Sequence, residues 1–477
     1  MNVTFAEVNR VVEVVFLVIL LIIVVSYALL AIVSVVAMRR HQLKNRYQSV
    51  DDLISSKYLP GISIIAPAYN EGLTIVENVR SILSLSYSDF EIIIVNDGSK
   101  DDSLQKLIEA FSLAKVRTVQ VADIPTQQVR GVYKSRNLAY SHLIVVDKDN
   151  GGKADALNAG INQSSKKLVL CIDVDCIIEP DGLLKMVRPF LEERKRRVVA
   201  VGGVIRVVNN CEVKSGKVTQ VNLPNGWLER FQVLEYFRVF TLTRMGWAQM
   251  RGLLLISGAL GMFDKEILVK AGGYTPGIVG EDMELVLKLH KYMREVAKQK
   301  YTIGFVPDPL CWTEVPDSAK VLSRQRNRWS RGFLESISAH KRMFFNPKYG
   351  FVGMISFPYA VFFEWLLAPI ELLGYGYFIL CMYMGYFNLP YFLLLFILVY
   401  SYFMMVTLLS ILSEELVYHH YNRKIDLVKL MLIALVEPFF YHPLNLYWTI
   451  KGNFDYFIRG KREWGKMDRR GFDENII

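Results

Sequence analysis

The sequence predicts an α/β domain built on a mostly parallel sheet and held between α-helical transmembrane segments. Three observations predict it. The chain has 477 residues, 52% hydrophobic and 21% charged, and the apolar residues gather in one N-terminal and one long C-terminal block. Between the blocks, short runs that are apolar throughout alternate with amphipathic stretches, the pattern of buried parallel strands joined by helices. Two carboxylate motifs fall just after such runs, where open α/β sheets place their ligands. The composition excludes a disordered chain, a collagen-like repeat and a small disulfide scaffold.

The first block, Val11 to Ala37, is long enough for one crossing, which takes about 20 residues. Arg39, Arg40, Lys44 and Arg46 follow it. The positive-inside rule therefore places the N-terminus outside and the next region in the cytoplasm, in a plasma or inner membrane. Residues 1–45 form this helix and its basic flank, and residues 59–332 the cytosolic domain. Strands are predicted at Ile62–Pro67, Glu91–Val95, Leu143–Val146, Leu168–Ile172 and Val199–Val207, with helices after Gly72, after Ser99, near Lys153 and after Pro180. Residues 333–350 read as an interfacial amphipathic helix, 351–450 as a C-terminal membrane region and 451–477 as a basic tail. Phe351 to Leu412 holds two spans divided near Asn388 and Pro390. Leu427 to Ile450 contains Glu437–Pro438 and His442–Pro443. A full crossing there puts the basic tail outside, against the charge rule. Either that stretch is re-entrant or the preceding block holds three crossings.

The formal charge of +10 flanks the apolar segments and comes with no nucleic-acid motif, so it points to lipid headgroups and topology. The five cysteines are odd in number and lack metal-finger or CxxC spacing, which predicts reduced structural thiols.

Asp173-Val-Asp175 ends the run Leu168–Ile172. In an extended chain residues i and i+2 point the same way, so the two carboxylates can converge on one hard cation, Mg²⁺ or Mn²⁺. Asn96-Asp97-Gly98-Ser99 is a strand-to-helix turn whose acid can accept hydrogen bonds from a nucleotide base. Pro67 to Gly72, with Asn70 and Glu71, makes a similar turn, and two such turns on neighbouring strands form one crevice. Gly151-Gly152-Lys153 opens a helix and suits a diphosphate through backbone N–H groups and one point charge. It lacks the Walker A spacing. Gly280-Glu281-Asp282 precedes a helical pattern; its acids are either caps or a general base facing an acceptor hydroxyl. Gln325, Arg328 and Trp329 share one helical face, while Arg324, Arg326 and Arg331 suit a membrane surface.

In this order the motifs resemble those of family 2 glycosyltransferases, in particular the membrane-integrated processive synthases of poly-N-acetylglucosamine, hyaluronan, chitin and cellulose. The resemblance covers Leu59 to Trp329, and the membrane parts loosely. It implies a Rossmann-like GT-A fold with Asp97 at the uridine, beside Asn70 and Glu71. It implies Lys153 and Asp173 near the UDP, Asp175 on a Mg²⁺ or Mn²⁺ ion, and Asp282 as catalytic base. Ser257, Gly258 and Glu281 would line the acceptor end. Gln325 and Arg328 would hold donor phosphates and Trp329 the acceptor sugar. The chain departs from the pattern in showing one N-terminal span where many members carry two, and Gly280 where some have Thr.

The implied function is a membrane-bound inverting transferase that polymerises a sugar from a UDP-sugar into a β-linked extracellular polysaccharide. Its partners are the donor, the growing polysaccharide and the bilayer, with room for export or regulatory subunits and no nucleic acid. The alternative is a non-processive enzyme acting on a polyprenyl phosphate or ceramide-like lipid. A non-catalytic scaffold is the rival from another class.

Overall fold

A computed structural model of the chain describes residues 5–47, 59–117, 122–192, 195–418, 421 and 423–460. The strands are β1 (Ile62–Ala68), β2 (Phe90–Asp97), β3 (Leu113–Val116), β4 (Val129–Ser135), β5 (Leu143–Lys148), β6 (Leu168–Ile172), β7 (Ile177–Ile178), β8 (Arg197–Val207), β9 (Glu212–Lys214), β10 (Lys217–Gln220), β11 (Leu260–Asp264) and β12 (Tyr301–Thr313). Ten of them form a central sheet in the order β3-β4-β5-β2-β1-β6-β11-β8-β12-β7, and β9 and β10 make a separate hairpin. β5, β2, β1 and β6 run parallel, as do β8 and β12, and β11 lies antiparallel between the two groups.

The five predicted strands are β1, β2, β5, β6 and β8. They form because both faces are covered: every residue of β2, β5 and β6 is buried. β2 and β5 each run two residues beyond the predicted end, so Asp97 and Lys148 are strand residues facing each other.

The helices around the sheet are α1 (Phe5–Tyr47), α2 (Ile75–Leu83), α3 (Ser103–Ala110), α4 (Lys153–Gln163), α5 (Gly182–Leu191), α6 (Trp227–Tyr236), α7 (Met245–Gln249), α8 (Lys265–Lys270), α9 (Glu281–Tyr292) and α10 (Ala319–Ala339). A π-helical segment, Phe237–Arg244, joins α6 to α7. Beyond α10 come α11 (Phe357–Tyr359), α12 (Leu367–Tyr383), α13 (Leu389–Tyr418) and α14 (Lys424–Phe457). No separate helix fills 333–350. α10 runs on to Ala339 and two short 3-10 turns follow, so the predicted boundary at 332 falls inside a helix.

Among the described residues four helical stretches are long and apolar enough to cross a membrane: Glu7–Lys44, Val352–Tyr383, Leu389–Glu415 and Lys424–Phe457. The division predicted near Asn388 lies between the second and third. α1 is anchored to the sheet domain at its far end by His41 Nε2 against Asp308 Oδ2 at 2.6 Å and by Lys44 against Glu192. The predicted basic tail lies outside the described residues from 461 onward.

α14 stays continuous through Pro438 and Pro443. Its buried residues, from Asp426 through Ile433, Glu437 and Tyr441 to Asp455, form one stripe at helical spacing. That stripe packs on the sheet domain and, at Leu430, Ile433 and Ala434, on α13, while His442 reaches Glu371 of α12. Arg238 pairs with Glu437 at 2.5 Å, Tyr441 Oη donates to Glu235 at 2.7 Å, Asn327 Nδ2 to Asp455 at 2.9 Å, and Tyr456 Oη to Ser338 at 3.2 Å. From Glu437 to Tyr456 about 28 Å of helix lies against α10, α6 and the π-helical segment, as long as the roughly 30 Å hydrocarbon core is thick. The helix also exposes Phe439, Phe440, Leu444, Tyr447 and Phe457.

Candidate active site

The turns after β1 and β2 are tied together. Asn70, in the left-handed region at φ 57°, donates its N–H to Ser99 Oγ at 3.0 Å and accepts from Lys100 N at 2.8 Å. Glu71 N donates to Ser103 Oγ at 3.0 Å. Asp97, at the end of β2, is buried and engaged on all sides. It accepts from Lys148 Nζ at 2.5 Å, Gly151 N at 3.0 Å, Gly152 N at 2.8 Å and Asn150 Nδ2 at 3.2 Å. Lys148 is fully buried and also pairs with Asp155 at 2.6 Å. The amides expected to meet a diphosphate at the start of α4 are thus taken by the Asp97 carboxylate, an anion in the same electrostatic niche.

Lys153 joins the ends of β6 and α9. Its Nζ lies 2.5 Å from Asp173 Oδ1, 3.7 Å from Glu281 Oε1 and 3.4 Å from the Gly258 carbonyl. Burial works against its charge, but the carboxylates of Asp173, Glu281 and Asp282 outweigh burial and hold the ammonium above its ordinary range. Burial pushes the Glu281 carboxyl up to about 7, with Asp282 adding to the push and Lys153 opposing it. Asp282 accepts from Gly258 N at 3.2 Å and from Met283 N at 2.8 Å, which turns its carboxylate across the Ser257–Gly258 loop.

Asp173, Asp175 and Cys176 bring ligand atoms within 4.8 Å of one another. A hydrogen bond with Cys311, and then burial, raise the Cys176 thiol well above its ordinary value, which leaves the two carboxylates as the donors a hard cation prefers.

Gly280 explains a departure noted in the sequence. A Cβ there would lie 2.5 Å from the carbonyl oxygen of Gly332. α9 and α10 touch backbone to backbone, with Ser336 Oγ donating to the Gly280 carbonyl at 3.1 Å and Val279 N to Glu335 at 2.7 Å. No side chain fits before the Glu-Asp pair. The contact sets Asp282 against the face of α10 that carries Gln325, Arg328 and Trp329.

Ten of the thirteen predicted site residues line one cavity of about 1050 Å³: Lys153, Asp173, Asp175, Ser257, Gly258, Glu281, Asp282, Gln325, Arg328 and Trp329. Asn70, Glu71 and Asp97 do not line it; they stand on the β1 and β2 side.

Residues 60–332 match the family model described as "Glycosyltransferase like family 2". The chain belongs to that glycosyltransferase family. It is 27% identical to the poly-beta-1,6-N-acetyl-D-glucosamine synthase of Staphylococcus epidermidis over 337 residues, 68% of this chain and 70% of that one. It is 29% identical to the synthase of the same name from Staphylococcus aureus strain COL over 275 residues, 57% of this chain and 55% of that one. A solved mannosyltransferase from Pyrobaculum calidifontis, in complex with GDP-Man and Mn²⁺, covers 91% of this chain and 99% of its own at a TM-score of 0.49 and 14% identity.

Within this family 2 domain, the arginines of α10 divide differently from the expectation. Arg326 and Arg331 are buried and do not lie at a membrane surface. Arg326 forms a two-pronged pair with Glu235 at 2.7 Å on both sides, donates to Tyr441 Oη at 3.0 Å and stacks 4.3 Å from the Trp329 ring. Arg331 Nε donates to Asn327 Oδ1 at 2.9 Å. Only Arg324 of the three is exposed. No motif in the sequence marks the stretch between 208 and 255, yet Glu235, Tyr236, Phe240 and Arg244 all line the cavity. The available signal was the helical pattern from Trp227 to Gln249, which carries charges on an otherwise apolar segment.

Proposed function

We propose that this family 2 glycosyltransferase polymerises a sugar from a UDP-sugar into a β-linked extracellular polysaccharide and passes the product through the membrane. One observation carries the reading. The Asp173–Asp175 pair, Asp282 and the Gln325–Arg328–Trp329 face meet in a single cavity, and the π-helical segment that supplies Phe240 and Arg244 to its wall packs on α1. The names of the relatives favour a polymer over a single-sugar lipid product, and make N-acetylglucosamine the first donor sugar to test.

In the proposed reaction Asp282 takes the proton of an acceptor hydroxyl. The hydroxyl oxygen bonds to the anomeric carbon from the face opposite UDP, and the bond from that carbon to the diphosphate oxygen breaks with its electron pair leaving on UDP. The configuration inverts. A positioned base contributes about 10²–10⁴-fold in rate. Asp175, with Asp173, would hold a Mg²⁺ or Mn²⁺ ion, which when bound supplies Lewis-acid neutralisation of the diphosphate. Lys153, Gln325 and Arg328 orient the phosphates, and the Trp329 face, stiffened by Arg326 beneath it, supports the acceptor ring. Asn70, Glu71 and Asp97 form the nucleoside half, with Asp97 acting chiefly by fixing the Gly151–Gly152 turn.

The sheet domain lies in the cytoplasm in this reading, because Arg39, Arg40 and Lys44 follow the first span. α14 keeps both ends on that side. Three crossings then remain, and the basic residues beyond Ile450 stay cytoplasmic, in accord with the charge rule.

The test is turnover of a panel of UDP-sugars by purified protein with Mg²⁺ or Mn²⁺, followed by linkage and length analysis. Polymer is expected from one donor, and Asp175→Asn and Asp282→Asn are expected to abolish it. A product consisting only of single-sugar glycolipids overturns the polymer reading; full turnover by either variant overturns that residue's role.

A further inference from the structure

Three arginines that the sheet domain packs largely away from solvent each face a carboxylate: Arg206 faces Glu414, Arg238 faces Glu437 and Arg326 faces Glu235. Arg244 does not follow them. It is the last residue of the π-helical segment, and its Nη1 is buried with no hydrogen-bond partner among the described residues. Its guanidinium carbon lies 4.2 Å over the Phe240 ring, which fixes the plane of the fork. The side chain lines the same cavity as Asp282, Ser257 and Gly258. The carboxylates of Asp282 and Glu364 act on its charge from a distance, but a buried N–H donor left without a hydrogen bond in a cavity wall calls for an acceptor that the described residues do not supply. The π-helical geometry adds to the case, since such segments concentrate at functional sites.

The position says which ligand. The π-helical segment packs on α1, with Ser34 Oγ donating to the Leu242 carbonyl and Gly246, two residues beyond Arg244, facing Leu30 and Ser34. Arg244 therefore stands where the cavity meets the membrane helices. The predicted donor-phosphate ligands Lys153, Gln325 and Arg328 come from α4 and α10, separate elements from the one that carries Arg244.

We propose that Arg244 is a further acceptor-binding residue, whose Nη1 donates a hydrogen bond to an oxygen of the acceptor saccharide and holds its hydroxyl towards Asp282. The inference rests on the polymerase reading above. It adds a specific grip on the acceptor sugar, through a neutral hydroxyl, ring or amide oxygen. Burial brings the guanidinium down to about 10, so it is cationic at neutral pH and the bond is charge-assisted.

The test uses full-length protein in detergent, the UDP-sugar that wild type turns over fastest, and a tetrasaccharide cut from its own product. Arg244→Met and Arg244→Lys are compared with wild type. The acceptor KM is expected to rise about 10- to 100-fold in Arg244→Met, with the donor KM within about twofold. Arg244→Lys is expected to recover part of the loss. A second readout needs no substrate. Because Nη1 holds no hydrogen bond in the ligand-free protein, Arg244→Met should leave the ligand-free Tm little changed. An unchanged acceptor KM, or a Tm lowered by several degrees, overturns the proposal. Failure of wild type to make polymer would instead overturn the reading on which it rests, while the Tm comparison still decides whether Arg244 is a structural residue.

Discussion

Gly332→Ala is the sharpest perturbation of the site that leaves every predicted ligand in place. The new Cβ would sit 2.7 Å from both Cα and N of Gly280 and 3.2 Å from the carbonyl carbon of Val279. All three are backbone atoms, so no side-chain rotation relieves the clash. Ordinary contact between such atoms is about 3.5 Å, so α9 and α10 must part by about 0.8 Å at this point. Overpacking of this kind costs about 1–3 kcal/mol. The kinetic consequence is larger. Asp282 lies two residues beyond Gly280, and a displacement of about 1 Å at a reacting group can cost on the order of 100-fold. Turnover at saturating substrate is expected to slow by about 10- to 100-fold, with a modest drop in Tm. UDP binding, measured by titration calorimetry, should weaken less than turnover, because Lys153 and Asp173 stand on other elements and only Gln325 and Arg328 ride on α10. Wild-type turnover at an unchanged Tm would refute the claim that this glycine contact positions Asp282.

Glu281 carries a pH signature. Its carboxyl is raised from 4.5 to about 7, so between those values the folded state holds a proton that the unfolded state has released. Stability should therefore fall as pH rises through that window, by at most about 1.4 kcal/mol per pH unit, and level off above 7. Glu281→Gln should remove the slope in a Tm-against-pH series, and an identical slope in the variant would count against it. Arg326→Met strands Glu235 and should cost about 3–5 kcal/mol, with Arg326→Met/Glu235→Gln recovering part of it in thermal unfolding; equal losses would deny the coupling. A reporter fused after Ile477 should be active only if it folds in the cytoplasm, and an externally active reporter would mean that α14 crosses.

Much of the fold was legible because the central strands are buried on both faces and read as unbroken apolar runs. β12 was not. Pro307, Asp308 and Pro309 interrupt its pattern, and its pairing with β8 shifts register there. The spacing of Gln325, Arg328 and Trp329 correctly gave one shared face, as the cavity lining shows. It could not say that Arg326, on another face, would be buried, since its partners Glu235 and Tyr441 are 91 and 115 residues away. The engagement of Asp97 was illegible for the same reason: Lys148 is 51 residues further along the chain. α14 was ambiguous because apolar length is the same for a helix that crosses and one that lies along a protein surface. Only the charges on its buried stripe separate the two.

The ion pairs between the sheet domain and the last helices bear on biosynthesis. Glu414 and Glu437, the partners of Arg206 and Arg238, belong to helices synthesised long after the arginines. Asp455, which receives Asn327 from the middle of α10, comes later still. A nascent chain that has emerged only as far as Gly332 therefore has about two-thirds of α10, two arginines still waiting for these carboxylates, and an Arg326–Glu235 pair that lacks Tyr441. α10 gains its full set of contacts only when α14 is in place. A soluble fragment cut at the domain boundary is therefore expected to be less stable than the full chain and to transfer sugar more slowly, although every residue of the cavity wall but Phe333 is present in it.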